Sequence, residues 1–173
     1  MICFFSPDYI KALYNEAMLK INDQAPLDIK VFDEAGKLIS LRSLLGKYVV
    51  LYFYPKDNTP GCTTEACNFR DANTELKELG AIVIGVSKDS VASHHKFKVG
   101  HQLNFPLWSD SDHQLLAAFG AWQEKKMFNK IYLGIVRSTF ILDPQGKIVK
   151  VWEKVNPKNH DQEVLKFFKN LIK

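Results

Sequence analysis

The chain is poor in cysteine: its 173 residues hold three, Cys3, Cys62 and Cys67, too few and too uneven for a disulfide framework. That excludes a small disulfide-stapled scaffold and suits a reducing compartment, so a cytoplasmic location is expected. Long hydrophobic runs are also missing. No stretch reaches the roughly 18 apolar residues of a membrane span. Residues 1–5 are apolar, but the run is short and lacks the basic flank of a signal peptide. No membrane partner is expected. Charge of one sign is not in excess either: the net charge is +4 and the lysines are scattered, so no nucleic-acid partner is expected. Repeats and low-complexity segments are absent. What remains, 46% hydrophobic and 24% charged residues, describes a globular chain long enough to bury one sizeable core.

The informative segment starts with an apolar, strand-like run at residues 48–54, closed by Pro55. Thr59, a good N-cap, and Pro60, suited to the first helical position, then open a helix with Cys62 in its first turn. Backbone N–H groups there have no intrahelical partners and the macrodipole favours an anion, which is the condition for a nucleophilic thiolate. The helical pattern runs through Phe69, Ala72, Leu76 and Leu79 to Gly80, a natural stop. Cys62 falls on its apolar face and Cys67 about 140° around the helix. In an intact helix their Cα atoms are about 8.7 Å apart, beyond the roughly 7 Å that a disulfide bridges. The pair can therefore join only if the first turns unwind. A lone cysteine after a strand can also be simply a small buried hydrophobe. The Cys-x4-Cys spacing is wider than zinc sites use, and His94 and His95 show no ligand pattern, so neither metal nor other cofactor is expected.

These residues carry a resemblance. Pro55-Lys56-Asp57-Asn58-Thr59-Pro60-Gly61-Cys62-Thr63 is similar to the peroxidatic motif of peroxiredoxins. Cys67, the following Asn68-Phe69-Arg70-Asp71, and the distant Gly134-Ile135-Val136-Arg137-Ser138-Thr139-Phe140 resemble the bacterioferritin comigratory protein or peroxiredoxin Q branch. The resemblance covers roughly residues 20 to 173. It implies a thiol-dependent peroxidase acting on hydrogen peroxide and organic hydroperoxides. Cys62 would be the peroxidatic thiol, oxidised to a sulfenic acid, and Cys67 the resolving thiol that forms an intramolecular disulfide. Thioredoxin or a similar reductant would be the partner that recycles it, and a monomer is expected. By the same resemblance Arg137 leans over the thiolate. Thr59 would hold the thiolate or peroxide, or only cap the helix; Pro55 would shield the thiolate, or only end the strand; and Gly61 would let backbone approach the substrate, or only relieve the turn. Trp122, Phe128 and Tyr132 are candidates for an apolar wall of the peroxide entrance. The five histidines look dispensable and Cys3 a bystander. Two other functions remain open: a thioredoxin-like protein disulfide oxidoreductase, weakened because such enzymes space cysteines as Cys-x-x-Cys, and a redox-responsive holdase.

The rest of the pattern is α/β. A hairpin is expected over residues 27–40, turning at 33–36, then a helical turn at 43–46. Strands are expected at 48–54, 81–86 and 105–109, and helices at 90–102 and 112–119. The segments 138–143 and 147–153 meet at Pro144-Gln145-Gly146 as an antiparallel hairpin. A closing amphipathic helix at 161–172 turns Val164, Leu165, Phe168 and Leu171 inward. A βαβ unit followed by ββα is thioredoxin-like: a central mixed sheet flanked by helices, with an N-terminal hairpin. The domain spans residues 20–173. Residues 1–19 form an N-terminal extension outside the family pattern. Ile10, Leu13, Tyr14, Ala17 and Ile21 fit one face of an added helix; alternatively Met18 is the natural start.

Overall fold

The apolar run before Cys62 forms β3 (Tyr48–Phe53), a strand covered on both faces. Val49, Leu51 and Phe53 enter one core, Val50 and Tyr52 the other, the period-two alternation of a doubly covered strand. The computed structural model describes residues 17–173. The other strands are β1 (Val31–Asp33), β2 (Leu38–Ile39), β4 (Ala81–Ser87), β5 (Leu107–Ser109), β6 (Trp122–Met127), β7 (Lys130–Ile135), β8 (Ser138–Leu142) and β9 (Ile148–Trp152). Seven of them form one mixed sheet in the order β2-β1-β5-β4-β3-β8-β9, in which β3, β4 and β5 run parallel and the other pairings are antiparallel.

Helices α1 (Pro60–Glu78), α2 (Val91–Gly100) and α4 (His160–Leu171) send Phe69, Leu76, Phe97, Val164 and Phe168 into the core that contains Tyr52. The short α3 (Gln114–Ala118) sends Leu115 and Leu116 into the opposite one. Phe69 is fully buried, its ring 4.9 Å from that of Tyr52; truncating it to alanine would cost about 3–5 kcal/mol. This is the thioredoxin-like architecture, with the N-terminal hairpin β1–β2 at one edge.

Several expectations are corrected. The helical turn falls at Leu41–Leu44, before the expected position. Leu171 is exposed rather than inward, because α4 fits its apolar stripe through Val164, Leu165 and Phe168. The expected N-terminal helix lies mostly outside the described residues, and its last part is not helical. The Leu19 N–H donates to the Phe119 carbonyl, and Ile21 is an exposed turn residue. This close run depends on Gly120 (φ +73°), where a Cβ would stand 2.4 Å from the Ala17 carbonyl oxygen. The sequence reading also misses the two-stranded β6–β7 hairpin, which turns through Phe128 and Asn129, both left-handed at φ 49° and 61°.

Candidate active site

Cys62 is the third residue of α1 and is 1% exposed. The first intrahelical bond of this turn runs from the Thr63 N–H to the Thr59 carbonyl, at 2.9 Å. The N–H groups of Gly61 and Cys62 precede it and have no carbonyl one turn back to reach. Helix geometry thus leaves backbone donors without intrahelical partners in the turn that carries the thiol.

Arg137 supplies a charge to the same place. It sits in the two-residue link between β7 and β8, fixed where Val136 N–H donates to the Ala121 carbonyl (2.8 Å) and Val155 N–H to its own carbonyl (2.9 Å). Its guanidinium forks: Nη2 donates to Cys62 Sγ at 3.3 Å and Nη1 to Glu65 Oε2 at 2.5 Å. A rigid planar fork addresses two acceptors in a fixed geometry, whereas a lysine ammonium is a compact point charge with rotatable donors. Gly61 eases the approach, since a Cβ there would stand 3.3 Å from Arg137 Nη2, tighter than an ordinary contact, and 3.5 Å from Pro157 Cγ.

Glu65 escaped the sequence reading. It is 1% exposed and lies one turn after Cys62 on the buried face of α1. An acid inside that apolar stripe was the signal that could have found it. Burial pushes its carboxyl up to about 7, against the pull of Arg137. Burial works against the charge of Arg137 as well, but Glu65 and Cys62 outweigh it and hold the guanidinium above its ordinary range. Glu65 Oε1 and the Tyr52 hydroxyl have no hydrogen-bond partner among the described residues. Burial, reinforced by Glu65 and Cys62, keeps that hydroxyl well above the usual tyrosine range.

Beside Arg137 an open cleft of about 490 Å³ is lined by Gln123, Glu124, Lys125, Val136, Lys154 and Val155. Burial and Arg137 hold Lys125 below its ordinary range. The expected apolar wall is corrected here: Trp122 stacks on His113, with ring centroids 3.9 Å apart, and Phe128 projects from the hairpin tip, 91% exposed. Tyr132 is exposed opposite Lys125.

Thr59 occupies the N-cap position with extended backbone, but its side chain does not cap. Its hydroxyl donates instead to the Lys56 carbonyl, at 2.8 Å. Pro55, half-buried, follows β3 and begins the loop. Cys67 is half-buried on the same unbroken helix, and both thiols are free. Cys3 lies outside the described residues.

A reactive-cysteine geometry at the first helix after a central strand, on a thioredoxin-like fold, defines a thiol-based redox enzyme. The AhpC/TSA family model matches residues 21–151. Peroxiredoxin Bcp of Bacillus subtilis is 48% identical over 153 residues, covering 88% of this chain and 97% of that protein. Peroxiredoxin Bcp of Escherichia coli K12 is 42% identical over 151 residues, covering 87% and 96%. A cysteine-to-serine mutant of Xylella fastidiosa PrxQ superposes with a TM-score of 0.86 at 38% identity, covering 91% and 99% of the two chains. The Xanthomonas campestris bacterioferritin comigratory protein, solved in connection with its alkyl peroxide reduction activity, gives 0.82 at 41% identity, covering 87% and 100%. The chain belongs to the AhpC/TSA family and is a peroxiredoxin of the Bcp/PrxQ kind, a thiol-dependent peroxidase.

Proposed function

We propose that Cys62 is the peroxidatic thiol, acting on hydrogen peroxide and organic hydroperoxides. The observation that carries this is the 3.3 Å approach of Arg137 Nη2 to Cys62 Sγ at the start of α1. The thiolate attacks one peroxide oxygen and the O–O bond breaks. The departing oxygen leaves with the electron pair and takes a proton, giving water or an alcohol, and Cys62 keeps a hydroxyl as sulfenic acid. Arg137 and the free N–H groups of the first turn offset the negative charge that develops. Thr59 orients the peroxide and Pro55 screens the thiolate from water.

Cys67 then attacks the sulfenic sulfur, water leaves, and a Cys62–Cys67 disulfide forms. Because α1 is continuous and the Cα atoms are about 8.7 Å apart in such a helix, its first turns unwind for this step. A thioredoxin-type dithiol returns the pair to thiols. The catalytic domain is residues 20–173, working as a monomer in a reducing cytosol, with residues 1–19 as an extension. The test is peroxide consumption by catalytic amounts of protein with a thioredoxin regenerating system. Wild type should turn over and Cys62→Ser should not; turnover by the mutant at the parent rate would remove Cys62 from this role.

A further inference from the structure

The loop that delivers Cys62 is anchored away from Arg137. After the Tyr54 N–H donates to the Val86 carbonyl, the chain leaves the sheet and turns through Asp57 and Asn58, the latter at φ +59°. Asp57 is nonetheless only 5% exposed. Its backbone N–H donates to Asp89 Oδ2 at 2.8 Å, and its carboxylate receives Tyr54 Oη and Ser93 Oγ, both at 2.7 Å. It also meets His94 Nδ1 at 2.8 Å. His94 is fully buried on α2, and its Nε2 faces the Trp108 carbonyl at 3.1 Å. Each ring nitrogen of His94 thus faces an acceptor, a carboxylate on one side and a backbone carbonyl on the other. Asp57, Asp89 and His94 lie close enough to resemble a cation site, but their facing atoms are engaged with one another, with Ser87 and Ser93, and with the loop backbone.

We propose that Asp57 and His94 are positioning residues for the peroxidase reaction. The pair clamps the loop five residues before Cys62, holds the start of α1 under Arg137, and sets the point beyond which the helix unwinds. The clamp ties Asp57 to α2 and β5, neither of which needs to move when α1 opens. Thr59, whose hydroxyl is bound back to Lys56, continues the fixed geometry to the helix start. The last step, unwinding, rests on the assignment of Cys67 above; the positioning of Cys62 does not.

The test compares wild type with His94→Gln, which removes the imidazole that bridges Asp57 to the Trp108 carbonyl, and Ser93→Ala, which removes one hydrogen bond to Asp57. Three quantities are read: Cys62 oxidation by one equivalent of hydrogen peroxide, amide exchange of residues 58–63 in the reduced protein, and the ratio of disulfide to overoxidised Cys62. For His94→Gln, oxidation should slow and exchange quicken by about tenfold, as expected for weakening a hydrogen bond to a carboxylate. The ratio should shift toward disulfide. Ser93→Ala should move each quantity the same way by less, and it decides the matter alone if His94→Gln does not fold. A residue that only stabilises the fold would lower Tm and leave Cys62 oxidation at the wild-type rate. Oxidation and local exchange at wild-type rates in a folded variant would overturn the proposal. If wild type forms no Cys62–Cys67 disulfide, the resolving role fails, while oxidation and exchange still decide the clamp.

Discussion

Toward α2 the surroundings of Cys62 are closed, with Asp57 and His94 buried and their side chains hydrogen-bonded to each other and to Tyr54, Ser93 and the Trp108 carbonyl. Toward the β7–β8 link they are half open: Arg137 spans from Cys62 to a buried carboxylate with one unpaired oxygen, beside a cleft of about 490 Å³. The difference separates two tasks. The closed side fixes backbone, where any unpaired polar group costs stability. In the proposed reaction the open side carries the charge that meets a changing substrate, and there solvent access and an acceptor unpaired among the described residues are tolerated. Cys62 stands between them, on the helix that in the proposed cycle both holds and releases it.

The comparison breaks most severely at Cys67. Cys67→Ser should support one round of peroxide reduction and then accumulate sulfenic or more oxidised Cys62, with thioredoxin-dependent turnover falling almost to nothing. In wild type, oxidation should quicken hydrogen exchange over residues 62–69 while β3 stays protected. Slow exchange in both redox states, or unchanged turnover in the mutant, would give the resolving step to another thiol.

Next in size is Arg137→Ala, which strips the open side of its charge. Oxidation of Cys62 should slow by about 10²-fold, the usual cost of removing one preorganised donor at a developing anion. Alkylation of Cys62 at pH 7 should slow with it. Wild-type rates for both would confine Arg137 to pairing with Glu65.

Glu65→Gln sharpens the same side more gently. The mutant keeps an acceptor for Arg137 but cannot ionise. In the folded protein the Glu65 carboxyl is raised to about 7, above its ordinary 4.5. The folded state therefore holds a proton that the unfolded state has lost. Its contribution to stability is fully present below about 4.5 and declines as pH rises toward 7. Urea unfolding at pH 5 and pH 8 should show a smaller difference for Glu65→Gln than for wild type. Equal differences would mean that Glu65 is ionised throughout that range.

The closed side was only half legible in sequence. The doubly apolar β3, the Thr59-Pro60 helix start and the Gly80 stop are local signals, and local geometry honoured them, except that the Thr59 hydroxyl turned to Lys56. Asp57 and His94 are 37 residues apart and meet only through tertiary packing, so no spacing announces them. On the open side, Arg137 was reached through family resemblance, because a bare arginine before a strand reads as surface. The β6–β7 hairpin lay hidden because Phe128 and Asn129 make a left-handed turn without the glycine that marks one. Its outer half, moreover, is exposed and shows no buried alternation.

The smallest effect is expected at the tip of that hairpin, and it decides how far the open side extends. Phe128 is 91% exposed, at the far end of strands whose inner residues Gln123 and Lys125 line the cleft. Phe128→Ser removes little packing, so stability should stay within about 0.5 kcal/mol of wild type. If the cleft is the peroxide path, hydrogen peroxide uses only its Arg137 end and should be reduced at an unchanged rate. If the site ends at Lys125, kcat/KM for a bulky organic hydroperoxide should be unchanged too. A selective rise in KM for the bulky substrate would instead place Phe128 along its path. The open side would then run the full length of the hairpin.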